Sequence, residues 1–351
     1  MKNDEGTDLN RRQFVKGVSL AGAGILAQHA WNGTAEGQEA AAARSAEVPR
    51  RPFGKTGVTV SAMGIGGHTL GEAKDEAEAI RIVHEAMDAG VDFMDNAWEY
   101  HDGRSEEWMG KALQGRRDKA FVMSKVCTHG RDAKVGMQQL EDSLRRLKTD
   151  HLDLWQIHEV VYDDDPDRHF AKGGVIEAVE KAKRDGKVRF VGFTGHKDPS
   201  IHLKMLSRNF PFDAVQLPLN CFDATFRSFE QLVLPELNKR GMAVIGMKSL
   251  GGNATPVKQR IVTPQEAIRY SMSLPIAVLV SGIDSREVLQ QNLGIARGFQ
   301  PMAAAEMAAL RQRVAQYAGD GRFELYKTSK EFDGPPGREQ HGFPPKKELP
   351  A

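Results

Sequence analysis

The chain has 351 residues, and its 48 Lys and Arg balance 47 Asp and Glu for a net charge of +1. No basic block supplies the phosphate-neutralising footprint of a nucleic-acid-binding protein. The two cysteines, Cys127 and Cys221, lie far apart and form no CxxC pair. That excludes a cysteine-ligated zinc or iron–sulfur centre and reads as two reduced core thiols, with no metal site expected.

The first fifty residues read as address and linker rather than fold. Arg11-Arg12-Gln13-Phe14 precedes an apolar, small-residue run over 17–27. As a helix that run would span about 16 Å, too short for a bilayer core of roughly 30 Å. Charged start, short apolar stretch and small residues near Ala30 and Ala35 have the shape of a signal peptide over 1–35, cut from the mature protein. The paired arginines resemble a twin-arginine signal, which implies the folded-protein export machinery as a partner, an extracytoplasmic location and no transmembrane span in the mature chain. Asn32-Gly33-Thr34 matches a glycosylation sequon, read as accidental beside such a leader. Residues 36–49, rich in Ala, Gly and Glu, form a linker.

From residue 50 onward, short apolar β-rich runs alternate with amphipathic helical stretches. A small hairpin is expected over 52–60, with a Gly-containing turn. Strands follow at 61–65, 92–95, 120–124, 152–157, 188–194, 214–217, 243–247 and 278–280. Ile80, Val83, Ala86 and Met87 fall on one face of a helix that ends at Gly90. Further helices are expected near 106–113, 135–147, 175–185, 200–208, 229–240, 264–272 and 285–297. Alternating strands and helices imply parallel pairing through crossovers, and eight such units favour a closed (β/α)8 barrel over 50–318. Gly64-Ile65-Gly66-Gly67-His68 lacks the last glycine of a dinucleotide fingerprint, and no clear helix start follows it, which disfavours an open doubly wound sheet. An extra helix is expected over 301–317. The Pro-, Gly- and charge-rich tail from residue 319 to 351 is expected to wrap the surface or fray.

Barrels of this kind carry chemistry at the C-terminal ends of their strands. Asp95 ends the second strand and Tyr100 lies just beyond, in Asp95-Asn96-Ala97-Trp98-Glu99-Tyr100; Lys125 ends the third strand and His158 the fourth. Singly, each has an ordinary explanation as a cap, a solvated cation, a packed ring or a structural histidine. Adjacent strands lie about 4.8 Å apart, so together these side chains can converge. The set suits carbonyl reduction. The alkoxide left by hydride addition needs a proton, and a free tyrosine with a pKa of about 10 gives one up poorly. A Lys125 ammonium held by Asp95 would lower the pKa of Tyr100, and His158 would orient the carbonyl.

Asp-x-Ala-x-x-Tyr with a strand-end Lys and a strand-end His, in that order, resembles the catalytic tetrad of the aldo/keto reductases. The resemblance runs from about Arg50 to Ala318. It implies a barrel that binds NADP(H), with NAD(H) the alternative, and acts on a small carbonyl or alcohol substrate. Tyr100 becomes the general acid, and Gln216 matches the glutamine that meets the nicotinamide amide. Leu250-Gly251-Gly252 would let backbone approach the pyrophosphate, and Gly282 through Ser285 and Arg286 lead into a helix N-terminus suited to phosphate. Asn292 matches the asparagine near the adenine. Three positions depart from the family pattern. Thr194-Gly195-His196 stands where Ser-Asn is usual, and Met247, with Lys248 beside it, takes the place of the aromatic that stacks on the nicotinamide. Asp284 falls where a basic residue meets the 2′-phosphate, with Arg286 close enough to compensate.

The acidic loop over 158–165 is expected to be solvated, the alternatives being a pocket lining or a cation site. Two other classes compete with the enzyme reading. One is a cofactor-bound redox-sensing barrel subunit with little turnover, which an intact tetrad disfavours. The other is a glycosidase-like pairing of Asp95 with Glu99 or Glu159, which leaves Lys125 without a task.

Overall fold

The computed structural model describes residues 47–127 and 129–349. The expected signal peptide, the sequon and most of the linker lie outside the described residues. Strands β1 (Arg50–Pro52) and β2 (Thr59–Ser61) pair antiparallel as a hairpin. Eight parallel strands follow: β3 (Met63–Gly66), β4 (Phe93–Asp95), β5 (Phe121–Val126), β6 (Leu152–Ile157), β7 (Val188–Thr194), β8 (Ala214–Pro218), β9 (Ala243–Met247) and β10 (Val278–Gly282). They pair in sequence order, and β10 closes on β3, so the chain is a (β/α)8 barrel as the sequence implies. The single break in the expected first strand comes at Ala62, which separates the hairpin strand β2 from β3.

Local chemistry starts the outer helices. Asp75, Asp132, Asp198 and Ser285 cap the helices Glu76–Asp88, Ala133–Leu147, Pro199–Ser207 and Arg286–Arg297 by accepting from a backbone N–H in the first turn. Thr263 and Glu266 form a reciprocal capping box at Pro264–Ser273. In Glu76–Asp88 the buried face is Ala79, Ile82, Val83 and Ala86, with Ile80 and Met87 at its half-buried flanks. The expected helix over 229–240 is two pieces, Phe229–Leu232 and Leu234–Arg240, because Pro235 has no N–H to continue the first. A short helix, Gly67–Leu70, does follow β3, where none was expected.

The hairpin decides which end of the barrel is available. Phe53 is fully buried, with its ring centroid 4.8 Å from Phe121, 6.1 Å from Phe93 and 6.2 Å from Phe190. Phe93 and Phe121 are the first residues of β4 and β5, so these rings seal the N-terminal end. The C-terminal ends are left for function. There the tail after the helix Ala304–Ala318 does not fray. It crosses the ends of β5, β6, β8 and β9 through short helices Leu325–Thr328 and Pro335–Gln340, burying Tyr326, Lys327, Asp333 and Arg338. Lys327 anchors it to Asp223 Oδ1 at 2.6 Å and also holds the tail's own Glu324 Oε2 at 2.9 Å. Both cysteines are free and buried, as the sequence implies. Among the described residues, no helix is long and apolar enough to cross a membrane.

Candidate active site

The four strand-end residues meet. Lys125 Nζ, at the end of β5, lies 2.6 Å from Asp95 Oδ1 at the end of β4, 2.8 Å from the Asn96 carbonyl and 3.3 Å from the Tyr100 hydroxyl. The Tyr100 hydroxyl is in turn 3.4 Å from His158 Nε2, just past β6. Parallel register brings this about: Gly66 pairs with Asp95, and Lys125 with Gln156, two residues before His158. Tyr100 leads a turn in which His101 and Asp102 take left-handed backbone at φ 52° and 56°. Non-glycine residues hold such angles only where surroundings fix them. Here His101 Nε2 lies 2.8 Å from the His68 carbonyl, and Asp102 accepts from the tail residue Gln340 at 3.0 Å.

The electrostatics differ from expectation at Tyr100. Burial, with Asp95, Glu99 and Glu159 nearby, pushes its hydroxyl well above 10 rather than letting Lys125 depress it. Burial likewise lowers Lys125, against the pull of Asp95. Lysine has donors only, so the Tyr100 oxygen accepts from Lys125, and its own O–H is left to donate to His158 Nε2.

A second layer, which sequence reasoning did not assemble, stands behind His158. Glu99 Oε1 lies 2.6 Å from His158 Nδ1, off the ring's N–H axis, so the contact is close without being a linear hydrogen bond. Cys127 Sγ donates to Glu99 Oε2 at 3.0 Å and stands 3.3 Å from His129 Nδ1. The tail's Arg338 donates to His129 Nε2 at 3.1 Å and to the Tyr162 hydroxyl at 2.9 Å. Burial alone would raise the Glu99 carboxyl, but His158 and Cys127 outweigh it and hold it below the usual carboxylate range. Burial pushes the Cys127 thiol up and His129 down to about 4. Glu99, Cys127 and His129 offer ligand atoms within 4.8 Å of one another, but Arg338 sets a positive charge against any cation there.

The loop after β6 is solvated only at its tip, Asp163 and Asp164, and is otherwise packed inward. Glu159, Val160 and Val161 are buried, and Asp165 is fully buried, accepting from Val161 N at 2.9 Å and Tyr162 N at 2.8 Å and paired with Arg131. Asp165 thus caps the loop's own backbone. Glu159 Oε2 also receives the tail's Gly334 N–H at 3.0 Å.

The residues assigned to a cofactor fall into separate groups. Gln216 in β8 reaches the catalytic set, accepting from Gln156 at 2.9 Å and approaching Asp95 at 3.5 Å; Thr194 pairs with it in register and is buried. Gly282, Ser285 and Arg286 lie at the end of β10, where Ser285 caps its helix and Arg286 is paired with Glu85 at 2.6 Å. Asn292 reaches the same end through Ser281, at 3.0 Å. Met247 ends β9 half-buried, with Leu250 and Gly251 beyond it. The close approach that Gly251 permits is taken by the tail: a Cβ there would meet the Phe323 carbonyl at 2.6 Å. Lys248, between them, is lowered by burial to about 8, and its ammonium lies 4.6 Å from the Phe332 ring centroid and 5.4 Å from that of Tyr326.

The chain is similar to known proteins in sequence and fold. Residues 62–267 match the model of the aldo/keto reductase family. An oxidoreductase of Bacillus subtilis, YqkF, is 25% identical over 309 residues, 76% of this chain and 97% of that one. L-galactose dehydrogenase of Arabidopsis thaliana is 30% identical over 229 residues, 62% of this chain and 68% of that protein. An aldo-keto reductase of Bacillus halodurans, solved in a holo form, superposes with a TM-score of 0.63 at 23% identity, covering 78% of this chain and 97% of its own, a likeness of fold. With the family model spanning more than half the chain, the protein belongs to the aldo/keto reductase family of oxidoreductases.

Proposed function

We propose that the protein is a nicotinamide-dependent oxidoreductase that moves a hydride between NADP(H) or NAD(H) and a small carbonyl or alcohol substrate. The observation that carries this reading is the contact chain Asp95–Lys125–Tyr100–His158, built from the ends of three adjacent strands. When bound, the nicotinamide supplies or accepts the hydride. The chain's own residues handle the proton and the orientation. Lys125, fixed by Asp95, holds the Tyr100 oxygen; the Tyr100 hydroxyl faces the reacting oxygen; His158 completes the polar cradle. Gln216 and Thr194 would meet the carboxamide, and the exposed N-terminus of the helix Arg286–Arg297 would suit a phosphate. Fluorescence titration of the purified full chain with NADPH and NADH is expected to show saturable binding, followed by turnover with an aldehyde or alcohol panel. Absence of binding to both would sink the reading.

We also propose that residues 1–35 direct export through the twin-arginine machinery, on the strength of Arg11-Arg12 ahead of a short apolar run. Replacing both arginines by lysine is expected to keep the protein in the cytoplasmic fraction of a bacterial host. Unchanged export would overturn it.

A further inference from the structure

The hydrogen-bond directions behind His158 are forced from the outside in. Arg338 has only donors, so the nitrogen it contacts, His129 Nε2, must accept. Burial keeps His129 neutral at pH 7, which places its one proton on Nδ1, facing the Cys127 sulfur. The thiol then donates to Glu99 Oε2, and the ionised Glu99 carboxylate turns its other oxygen to His158 Nδ1 at 2.6 Å. A bare ring nitrogen and a carboxylate oxygen would repel at that distance, so Nδ1 carries the proton and Nε2 keeps its lone pair. That lone pair faces the one hydrogen Tyr100 has to give.

A hydroxyl, an imidazole and a buried carboxylate in this order form a relay in which the imidazole accepts the hydroxyl's proton and the carboxylate stabilises the resulting cation. We propose that Glu99 is a positioning residue of the reaction: it holds His158 with its proton on Nδ1, so that Nε2 takes the Tyr100 proton when an alcohol is oxidised and returns it when a carbonyl is reduced. This rests on Tyr100 as the proton-exchanging hydroxyl. In oxidation the carbinol C–H bond breaks, and its electron pair passes with the hydrogen to the ring of an oxidised nicotinamide. The substrate O–H proton goes to the Tyr100 oxygen while the Tyr100 proton goes to His158 Nε2. The carbonyl double bond forms, and the positive charge lost from the nicotinamide reappears on the imidazolium opposite Glu99. Reduction runs the same steps backward.

The C-terminal tail is part of this device. Gly337 lies so close that a Cβ would overlap Glu99 Oε2 and Cys127 Sγ, and Arg338 fixes the His129 tautomer. The tail therefore shields the carboxylate from water and sets the direction of the chain behind it.

His158 is faced by Glu99 and Tyr100 from the turn after β4, by Asp95 from β4 and by Lys125 from β5. His68 and His196 face it from the ends of β3 and β7, with Lys248 beside both. Burial and the lysine hold its pKa down, while Glu99 is the leading group that raises it.

Two measurements test the proposal. In the unliganded full chain carrying 15N-histidine, the His158 signals, assigned by their loss in His158→Gln, are expected to show a protonated Nδ1 and a bare Nε2 at pH 7.5. An Nε2-protonated ring would overturn it, whether or not the protein turns anything over. In Glu99→Gln the amide keeps the shape and still sets an oxygen beside Nδ1, but the negative charge is gone. The acid limb of kcat/KM for alcohol oxidation is then expected to move down by about one pH unit or more. The plateau rate should fall roughly 10- to 100-fold, with nicotinamide affinity unchanged. A pH profile superimposable on the parent's would refute the role of Glu99. Loss of nicotinamide binding in the parent would instead defeat the functional reading and leave the tautomer measurement to judge Glu99 alone.

Discussion

Tyr100→Phe is expected to lose kcat by about 10³-fold or more in both directions while binding nicotinamide as the parent does. The change removes one oxygen and keeps the ring. That ring stays packed, its centroid 5.3 Å from that of His68, 5.5 Å from that of His158 and 4.8 Å from the Lys125 ammonium. What disappears is the atom that accepts from Lys125 at 3.3 Å and faces His158 at 3.4 Å. A positioned acid or base contributes about 10²- to 10⁴-fold, and no neighbour can take over. Lys125 is already committed to Asp95 and the Asn96 carbonyl, and His158 Nε2 exchanges its proton through the very oxygen that the change removes. Steady-state kinetics with saturating cofactor, alongside fluorescence titration, separates chemistry from binding. A variant within tenfold of the parent would remove Tyr100 from the mechanism.

The barrel and the tetrad were legible for the same reason: both are written in local periodicity. The bounds of β6, β7 and β9 match their apolar runs to the residue, and the catalytic residues follow strand ends that those runs define. The second layer was not legible. The Arg338–His129 contact spans 209 residues and Lys327–Asp223 spans 104, and neither leaves a periodic trace in the chain. Composition misled at the loop after β6 and left the tail open between wrapping the surface and fraying. The tail is rich in Pro, Gly and charge, yet it packs on the barrel with Glu324, Lys327, Asp333 and Arg338 buried and partnered. The loop after β6 has surface-like acidity, yet Asp165 caps its own backbone. A functional site that spends buried polar groups in this way departs from local rules. One signal was available: Glu99, an acidic residue beside Tyr100 in an otherwise buried segment, invites a search for its partner.

The tail's attachment yields the other large expected effect. Lys327→Met is expected to cost about 3–5 kcal/mol, because it strands two buried carboxylates without their cation. The Lys327 ammonium is fully buried, with Asp223 at 2.6 Å, Glu324 at 2.9 Å, the Phe226 carbonyl at 2.8 Å and the Phe229 ring below it. Methionine fills much of the same volume, so the loss is electrostatic rather than a cavity. Asp223 keeps donors from Ser228 Oγ and from the backbone N–H groups of Phe229 and Glu230, but these do not cancel a full charge. Glu324 keeps the Tyr326 hydroxyl at 2.6 Å and Asn220 at 3.2 Å. The chain has a cheaper escape than global unfolding: the helix Leu325–Thr328 can lift off and carry its carboxylate into water. The expected readout is therefore tryptic cleavage after Lys330 at a rate far above the parent's, together with a lower melting temperature. Adding Asp223→Asn and Glu324→Gln removes the stranded charges and is expected to restore most of the stability. If the single variant melts with the parent and resists trypsin, the buried cation is not what holds the tail. If the triple variant stays as weak as the single one, shape rather than charge decides the anchor.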